Sequence, residues 1–242
     1  MSLILAACAG PGDVSRGLRD PDGASRLRAA AAAEASGQDD LALSLYMAAA
    51  EAEPRNPVVQ ARLAGALSRI GSYSEAQAVL SRALTQDPDN LDLINQLGRL
   101  QIRNGAPEAA LESFGRLLAS KPSDAAALDG RGMALDMLGR HEEAQASYRA
   151  ALATSPMALG PANNLGLSLL LAGRFQDARS VLEPLARRPG APPRVATNLA
   201  IARAALGDQE AMRDLIGEQA TRGDLDAMLR ALGSRVQDLA KE

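Results

Sequence analysis

The sequence is poor in aromatic residues and carries little net charge. Aromatic side chains make up 2% of its 242 residues, tryptophan is absent, and the formal net charge is −3. Proteins that bind nucleic acids usually combine a basic surface with aromatic side chains on which bases stack. This composition therefore argues against a nucleic-acid partner.

Residues that build reactive centres are also scarce. His141 is the only histidine and Cys8 the only cysteine, and no glycine-rich phosphate-binding loop is present. A metal site needs several histidine, cysteine or carboxylate ligands at suitable spacing. We predict that His141 packs at a turn. We also predict that the protein is not an enzyme and uses no metal, cofactor or small-molecule substrate.

Long apolar runs are missing as well. The densest one, from Leu165 to Ala172, is short, whereas a helix needs roughly 20 apolar residues to cross a membrane. We therefore expect no membrane-spanning helix, so that any attachment to a membrane would depend on a lipid anchor.

What the sequence does contain is a fixed repeat period. Glycine, proline and alanine each recur at steps of 34 residues. The repeated positions are Gly37, Gly71, Gly105, Gly139, Gly173 and Gly207; Pro54, Pro88, Pro122 and Pro156; and Ala42, Ala76, Ala110, Ala144 and Ala178. Glycine allows a sharp turn after one helix, and proline ends the next. The pattern predicts one helical hairpin per period.

Two further recurring positions predict how each hairpin packs. One holds small residues: Ala30, Ala64, Gly98, Gly132, Gly166 and Ala200. The other holds larger ones: Tyr46, Leu80, Phe114, Tyr148, Leu182 and Ile216. We expect each large side chain to pack where a small residue lets two helices approach closely.

These residues and their spacing resemble the tetratricopeptide repeat over about residues 23–220. The resemblance implies an all-α, right-handed α-solenoid of five to six helix–turn–helix units that binds other proteins. The units would be 23–56, 57–90, 91–124, 125–158, 159–192 and a degenerate 193–220, followed by a C-terminal capping helix in 221–242. The closing proline of the fifth unit is shifted to Pro189, and the segment Gly190-Ala191-Pro192-Pro193 after it is expected to interrupt the tight stack.

Residues 1–22 are interpreted as a truncated lipoprotein signal and a flexible tether. Leu5-Ala6-Ala7-Cys8 resembles the lipobox of bacterial lipoproteins, which implies that Cys8 is lipidated. The leader is short and lacks a basic residue, so we expect the true start to lie upstream. Ala9 follows the cysteine, which in that family implies delivery to the outer membrane, with the repeats in the periplasm. The alternative is an incidental Cys8 in a soluble cytoplasmic adaptor or co-chaperone-like module.

A lipobox followed directly by such repeats is similar to the TadD-type lipoproteins of tight-adherence (Flp) pilus assembly, and more loosely to the pilotins of type IV pili. The segment from Arg194 to Ala200, continued through Leu206-Gly207-Asp208, resembles the last repeat of the TadD group. This resemblance implies protein partners among secretin or pilus-assembly components.

In this repeat the exposed side of each first helix lines a concave groove, where we expect the partner to bind. The basic and polar half of the groove contains Arg62, Arg69, Asn95, Arg99 and Arg103. The apolar half, edged by amides, contains Met133, Met137, Asn163, Asn164, Leu167, Leu170 and Asn198. We predict an amphipathic segment with an acidic end, its apolar side toward Leu167 and Leu170. Alternatively, the apolar residues pack the superhelix or contact the C-terminal helix, and the convex face binds the partner.

Overall fold

A computed structural model describes residues 23–217 and 221–238 of the chain. Within these ranges it contains thirteen α-helices and no β-strand. The helices are α1 (Gly23–Ala35), α2 (Asp39–Ala52), α3 (Pro57–Arg69), α4 (Tyr73–Gln86), α5 (Leu91–Arg103), α6 (Pro107–Ser120), α7 (Ala125–Met137), α8 (His141–Thr154), α9 (Leu159–Leu171), α10 (Phe175–Ala186), α11 (Pro193–Ala205), α12 (Gln209–Ile216) and α13 (Arg222–Asp238). The predicted lipobox at Cys8 lies outside the described residues.

The helices pack as consecutive pairs, from α1 with α2 to α11 with α12. The first helices of successive units, from α3 to α11, contact one another and form the inner layer. Each second helix packs outside, against its own first helix and the first helix of the next unit. This arrangement confirms the predicted all-α solenoid of tetratricopeptide type.

Local sequence explains where the helices begin and turn. Asn90 caps α5, its Oδ1 accepting hydrogen bonds from the backbone N–H groups of Asp92 and Leu93 at 3.1 Å. The six glycines of the repeat frame have φ between 68° and 96°. This left-handed conformation strains any residue with a Cβ, which is why glycine recurs at the turn.

Large side chains of the second helices fill gaps beside glycines of the first helices, as the sequence predicts. Phe114 and Tyr148 are 0% and 1% exposed. A Cβ atom built on Gly98 would lie 2.8 Å from the Phe114 ring, and one on Gly132 would lie 2.5 Å from Tyr148 Cε1. The first helix can approach its partner this closely only because no side chain intervenes.

The structure corrects the expected interruption near Pro189. α10 carries Pro184 inside it, yet α10 and α11 pack together, and Val195 belongs to the same buried cluster as Leu182. Pro193 is the first residue of α11, where the missing N–H group would have no helical partner in any case. The stack therefore continues across this segment.

The last helix, α13, lies on the inner side of the solenoid. It contacts α12, and also α9 and α7. Leu225 near its start is fully buried in a cluster with Ala204 and Met212. We predicted a helix that covers the end of the last repeat, whereas α13 also folds back over the inner layer.

Candidate protein-binding groove

The inner faces of α3 and α5 form a cleft with four arginines on its walls. Arg62 and Arg69 come from α3, and Arg99 and Arg103 come from α5, with Gln96 between them. Spacings of seven and four residues place each pair on one side of its helix. The structure therefore brings together the four arginines predicted for the basic half of the groove.

Arg69 differs from the other three because its charge is paired. Its Nη1 lies 2.9 Å from Glu34 Oε1, and its Nε lies 3.5 Å from Asp39 Oδ1, a contact without hydrogen-bond geometry. Tyr46 donates to the other oxygen of Glu34 at 2.8 Å. Burial, and then the Glu34 carboxylate, raise the pKa of Tyr46 to about 12. Arg69 thus ties α3 to the first unit.

The remaining arginines of the cleft, Arg62, Arg99 and Arg103, are exposed. None of them forms an ion pair with a residue in 23–217 or 221–238. Neighbouring like charges repel one another, and a bound anion relieves that repulsion. This part of the groove is therefore suited to an acidic ligand.

Besides Arg69 Nε, two buried polar atoms of α3 and α5 lack hydrogen-bond partners among the described residues. Ser68 lines the cleft, is 5% exposed, and its Oγ makes no hydrogen bond. Asn95 is half-buried on α5, and its Oδ1 is buried without a partner. An unsatisfied buried polar atom costs about 1–3 kcal/mol. A ligand that reaches the Ser68 hydroxyl would remove part of that cost.

The groove continues past α5 into a second, smaller cleft. Arg99 and Arg103 line it from one side, and Asp129 and Met133 of α7 line it from the other, with Phe114 at its wall. Burial raises the pKa of Asp129, an effect that the hydrogen bond from Asn164, and then the charge of Arg99, partly offset. The basic half of the groove therefore ends at a partly buried carboxyl group, next to an exposed methionine.

A chain of side-chain hydrogen bonds joins the first helices of the last three units. Asn164 donates to Asp129 Oδ1 at 3.0 Å, Asn163 to Asn164 Oδ1 at 3.4 Å, and Asn198 to Asn163 Oδ1 at 3.1 Å. Asn163 and Asn198 are buried, and Asn164 is half-buried. We call Asp129, Asn164, Asn163 and Asn198 the amide ladder. Its amides bond to one another, and only Asn164 keeps substantial access to the groove.

The apolar half of the groove is largely covered. Met137 and Leu170 are buried, whereas Leu167 is half-buried. Leu170 lies in a buried cluster against which α13 packs. The α13 residues that pack on this cluster are Met228, Leu229 and Leu232. At Leu170 the structure therefore favours the alternative that the apolar residues contact the C-terminal helix.

A buried polar network in α7 was not predicted. Asp136 accepts hydrogen bonds from Tyr148 at 2.9 Å and Ser168 at 2.7 Å, and its Oδ1 lies 2.8 Å from Nδ1 of His141. Burial, and then the neighbouring Asp136, hold the pKa of Tyr148 well above its usual range. A signal was present in the sequence: the register of Asp136 holds an acidic residue only at Glu34 and Asp136, and each of them lies 12 residues before a tyrosine that donates to it, Tyr46 or Tyr148. The other members of the register are Ser68, Ile102, Leu170 and Ala204.

Across residues 23–217 and 221–238, none of the helices is long and apolar enough to cross a bilayer. The same residues contain no group of three or more histidine, cysteine or carboxylate side chains that could hold a metal ion.

Two models of the tetratricopeptide repeat match the chain, over residues 71–132 and 125–156. A comparison with curated proteins finds no match.

Solved structures share the fold at low sequence identity. A thermophilic TPR protein of Thermus thermophilus, TTC0263, is 22% identical with a TM-score of 0.66, over 76% of this chain and 98% of that one. PilW, described as a widely conserved type IV pilus biogenesis factor, is 18% identical with a TM-score of 0.65, over 86% and 92%. PilF of Pseudomonas aeruginosa is 15% identical with a TM-score of 0.63, over 89% and 95%. The matching family models identify tetratricopeptide repeats in residues 71–156, and the stacked helix pairs continue the same architecture through the described residues on either side.

Proposed function

We propose that this protein is a non-catalytic scaffold that binds an acidic segment of another protein in its inner groove. Tetratricopeptide solenoids present such grooves for protein–protein interaction. The observation that carries the proposal is the convergence of Arg62, Arg99 and Arg103 on one cleft, without ion-pair partners among the described residues.

The groove changes character along its length, which suggests how a partner would lie in it. Its basic part, at α3 and α5, leads past Asp129 to the exposed Met133 and the half-buried Leu167. An amphipathic segment could place its acidic end among the arginines and its apolar side toward α7 and α9. The partner would therefore be a protein segment with acidic and apolar residues.

We further propose that the chain is an outer-membrane lipoprotein on the periplasmic face, assisting pilus or secretin assembly of the Flp type. The lipobox resemblance of Leu5 to Cys8 supports this proposal. PilW, which shares the fold, is described as a type IV pilus biogenesis factor, and this description also supports the proposal. The membrane contact would then be the lipid on Cys8.

A soluble cytoplasmic adaptor is the second candidate. It treats Cys8 as a cysteine that follows a short apolar stretch by coincidence. In this case the groove would bind its partner in the same way, and Cys8 would carry no lipid.

Reversing the charge of the basic groove should weaken partner capture. Arg99→Glu/Arg103→Glu replaces two cations that line both clefts, so an acidic segment would meet repulsion there. We expect at least a tenfold loss of affinity, about 1.4 kcal/mol. The measurement is capture of detergent-solubilised envelope proteins from the native host on the immobilised protein, followed by titration of the captured partner.

The matched control is Arg82→Glu/Arg149→Glu, which makes the same charge change at exposed positions on the second helices α4 and α8. This control should retain the partner, and raising the salt concentration should weaken capture by the wild type. Equal capture by both double variants, with unchanged circular dichroism, would place the binding surface outside the groove.

Removing the thiol should release the protein from membranes. In the native host, expressed from its own locus, Cys8→Ser has no acceptor for acyl chains. Because each buried CH₂ contributes about 0.8 kcal/mol to membrane binding, a protein with several chains partitions fully with the membrane fraction. The variant should appear in the soluble fraction or accumulate as a precursor. Identical fractionation of variant and wild type would favour the cytoplasmic adaptor.

A further inference from the structure

The position of α13 shows that the groove already accommodates a helix. From the buried Leu225 near α11 and α12, α13 runs back across the inner layer toward α9 and α7. Leu229 packs near Phe175, and Gly233 reaches Leu171, whose Cδ2 would lie 4.0 Å from a Cβ on that glycine. The chain thus covers the C-terminal part of its own groove with an amphipathic helix.

This packing is looser than that between the repeats. Leu225 is 0% exposed, whereas Met228, Leu229 and Leu232 are only partly buried. An open cleft remains between α13 and the inner layer, with Leu171 on one side and Leu229 on the other. Unfilled space forfeits dispersion contacts and hydrophobic burial. The surface under α13 therefore fits this helix incompletely.

Gly233, inside α13, also indicates that this helix docks weakly. At Gly98, Gly132 and Gly166 a Cβ would meet another side chain at 2.8 Å or less, so packing requires glycine. At Gly233 a Cβ would meet nothing closer than 4.0 Å. Glycine inside a helix costs about 0.5–1 kcal/mol relative to alanine. Gly233 therefore weakens α13 without serving its packing.

We propose that α13 occupies a helix-binding site, here called the seat, from which a partner helix can displace it. The seat is the surface under α13, formed by α7, by the end of α9 at Leu170 and Leu171, and by Phe175 of α10. Its other occupant is an amphipathic helix of a protein partner, with apolar residues spaced like Leu225, Met228, Leu229 and Leu232. Binding of that helix requires α13 to leave, so the occupied seat lowers the affinity for the partner.

The inference deepens the proposed function and rests on it only for the existence of a protein partner. The arginine cleft lies on α3 and α5, whereas α13 covers α7 and α9. A partner that fills both parts would pair its acidic end with the arginines and replace α13 with its apolar end. Its apparent affinity falls with the fraction of molecules in which α13 is docked.

The test uses a fluorescent synthetic peptide of residues 221–238 as the probe and the full-length chain as the receptor. Leu229→Asp/Leu232→Asp in the receptor changes two partly buried residues of α13 and leaves the buried Leu225 in place. The peptide should bind this variant at least tenfold more tightly than the wild type, because the seat is vacated. Adding Leu171→Asp, a half-buried seat residue, should abolish that binding.

A peptide carrying Leu229→Asp is the matched control, and it should bind neither receptor. Equal binding of the unmodified peptide to wild type and variant, or no binding to the variant, would overturn the proposal. If the wild type is a dimer by light scattering and Leu229→Asp/Leu232→Asp makes it monomeric, the seat is filled by α13 of a second copy instead, which would also overturn it. Loss of capture in the arginine variants is independent of these results.

Strengthening α13 tests the same inference without disrupting any packing. Gly233→Ala should slow hydrogen exchange of the α13 amides and weaken binding of the peptide in trans, both by about two- to fivefold, as expected from the glycine-to-alanine difference in helix propensity. Unchanged exchange and unchanged peptide affinity would show that α13 docking does not control access to the seat.

Discussion

Gly132→Ala should lower the free energy of unfolding by about 1–3 kcal/mol, although alanine is the better helix former. The new Cβ would lie 2.5 Å from Tyr148 Cε1. The ring cannot retreat easily, because it is 1% exposed and its hydroxyl donates to Asp136. In a chain of this size each kcal/mol lowers the melting temperature by about 2–4 °C. Urea and thermal unfolding followed by circular dichroism measure the change.

Gly115→Ala provides the matched control. Gly115 lies inside α6, is exposed, and a Cβ there would meet no atom within 4 Å. The same substitution should therefore be neutral or stabilise the protein by up to about 1 kcal/mol. A similar loss at both positions would mean that the close approach of α7 to Tyr148 does not determine the stability of this unit.

Asp136→Ala should also destabilise the protein strongly. The substitution leaves the Tyr148 hydroxyl buried without its acceptor, at about 1–3 kcal/mol for an unsatisfied group. It leaves the Ser168 hydroxyl only the longer hydrogen bond to the His141 carbonyl oxygen, at 3.4 Å. It also removes the partner of the His141 imidazole. Because Ser168 belongs to α9 and Asp136 to α7, the loss should extend to the contact between two units. Chemical unfolding of the variant measures the effect.

A double-mutant cycle separates the network from general loss of packing. Tyr148→Phe removes one donor and leaves the carboxylate its contacts with Ser168 and His141, so its cost alone should be smaller. With Asp136→Ala already present, Tyr148→Phe should cost little or nothing, because the hydroxyl no longer has an acceptor. Costs that simply add would indicate that Asp136 and Tyr148 are not coupled.

The repeat frame was predictable because its causes are local. A glycine turn every 34 residues and a helix after each turn follow from the chain itself, and all six frame glycines have the expected positive φ. The pairing of Gly98 with Phe114 and of Gly132 with Tyr148 was predictable for the same reason. Both members of each pair belong to one hairpin, whose geometry is set by short-range contacts.

The arginine cleft was predictable from helix geometry, whereas the amide ladder was not. Arg99 and Arg103 share a side of α5 by spacing alone. Asn163 and Asn198, however, lie in different units. Whether such amides face the groove or each other depends on how closely α9 and α11 approach, which is a property of the superhelix. The sequence pattern fixes the face of a helix but not the distance to the neighbouring one.

The path of α13 could not be derived from its periodicity. The recurrence of Leu225, Leu229 and Leu232 indicates one apolar side, which any apolar surface of the solenoid could cover. The groove near Leu170 and the exposed end of the last repeat are both apolar surfaces that this side could cover. In the structure α13 covers both of them. The proline-rich segment before α11 is a similar case, since its effect depended on whether Pro193 could begin a helix.

The amide ladder also bears on how an array like this one can change in length. Repeats joined only by nonpolar contacts can be duplicated or lost one at a time, because each new neighbour presents the same kind of surface. Loss of the unit that contains Asn163 and Asn164 would leave Asp129 and Asn198 without their present partners. The last three units are thus expected to be inherited together, and changes in repeat number should fall among the units that precede them.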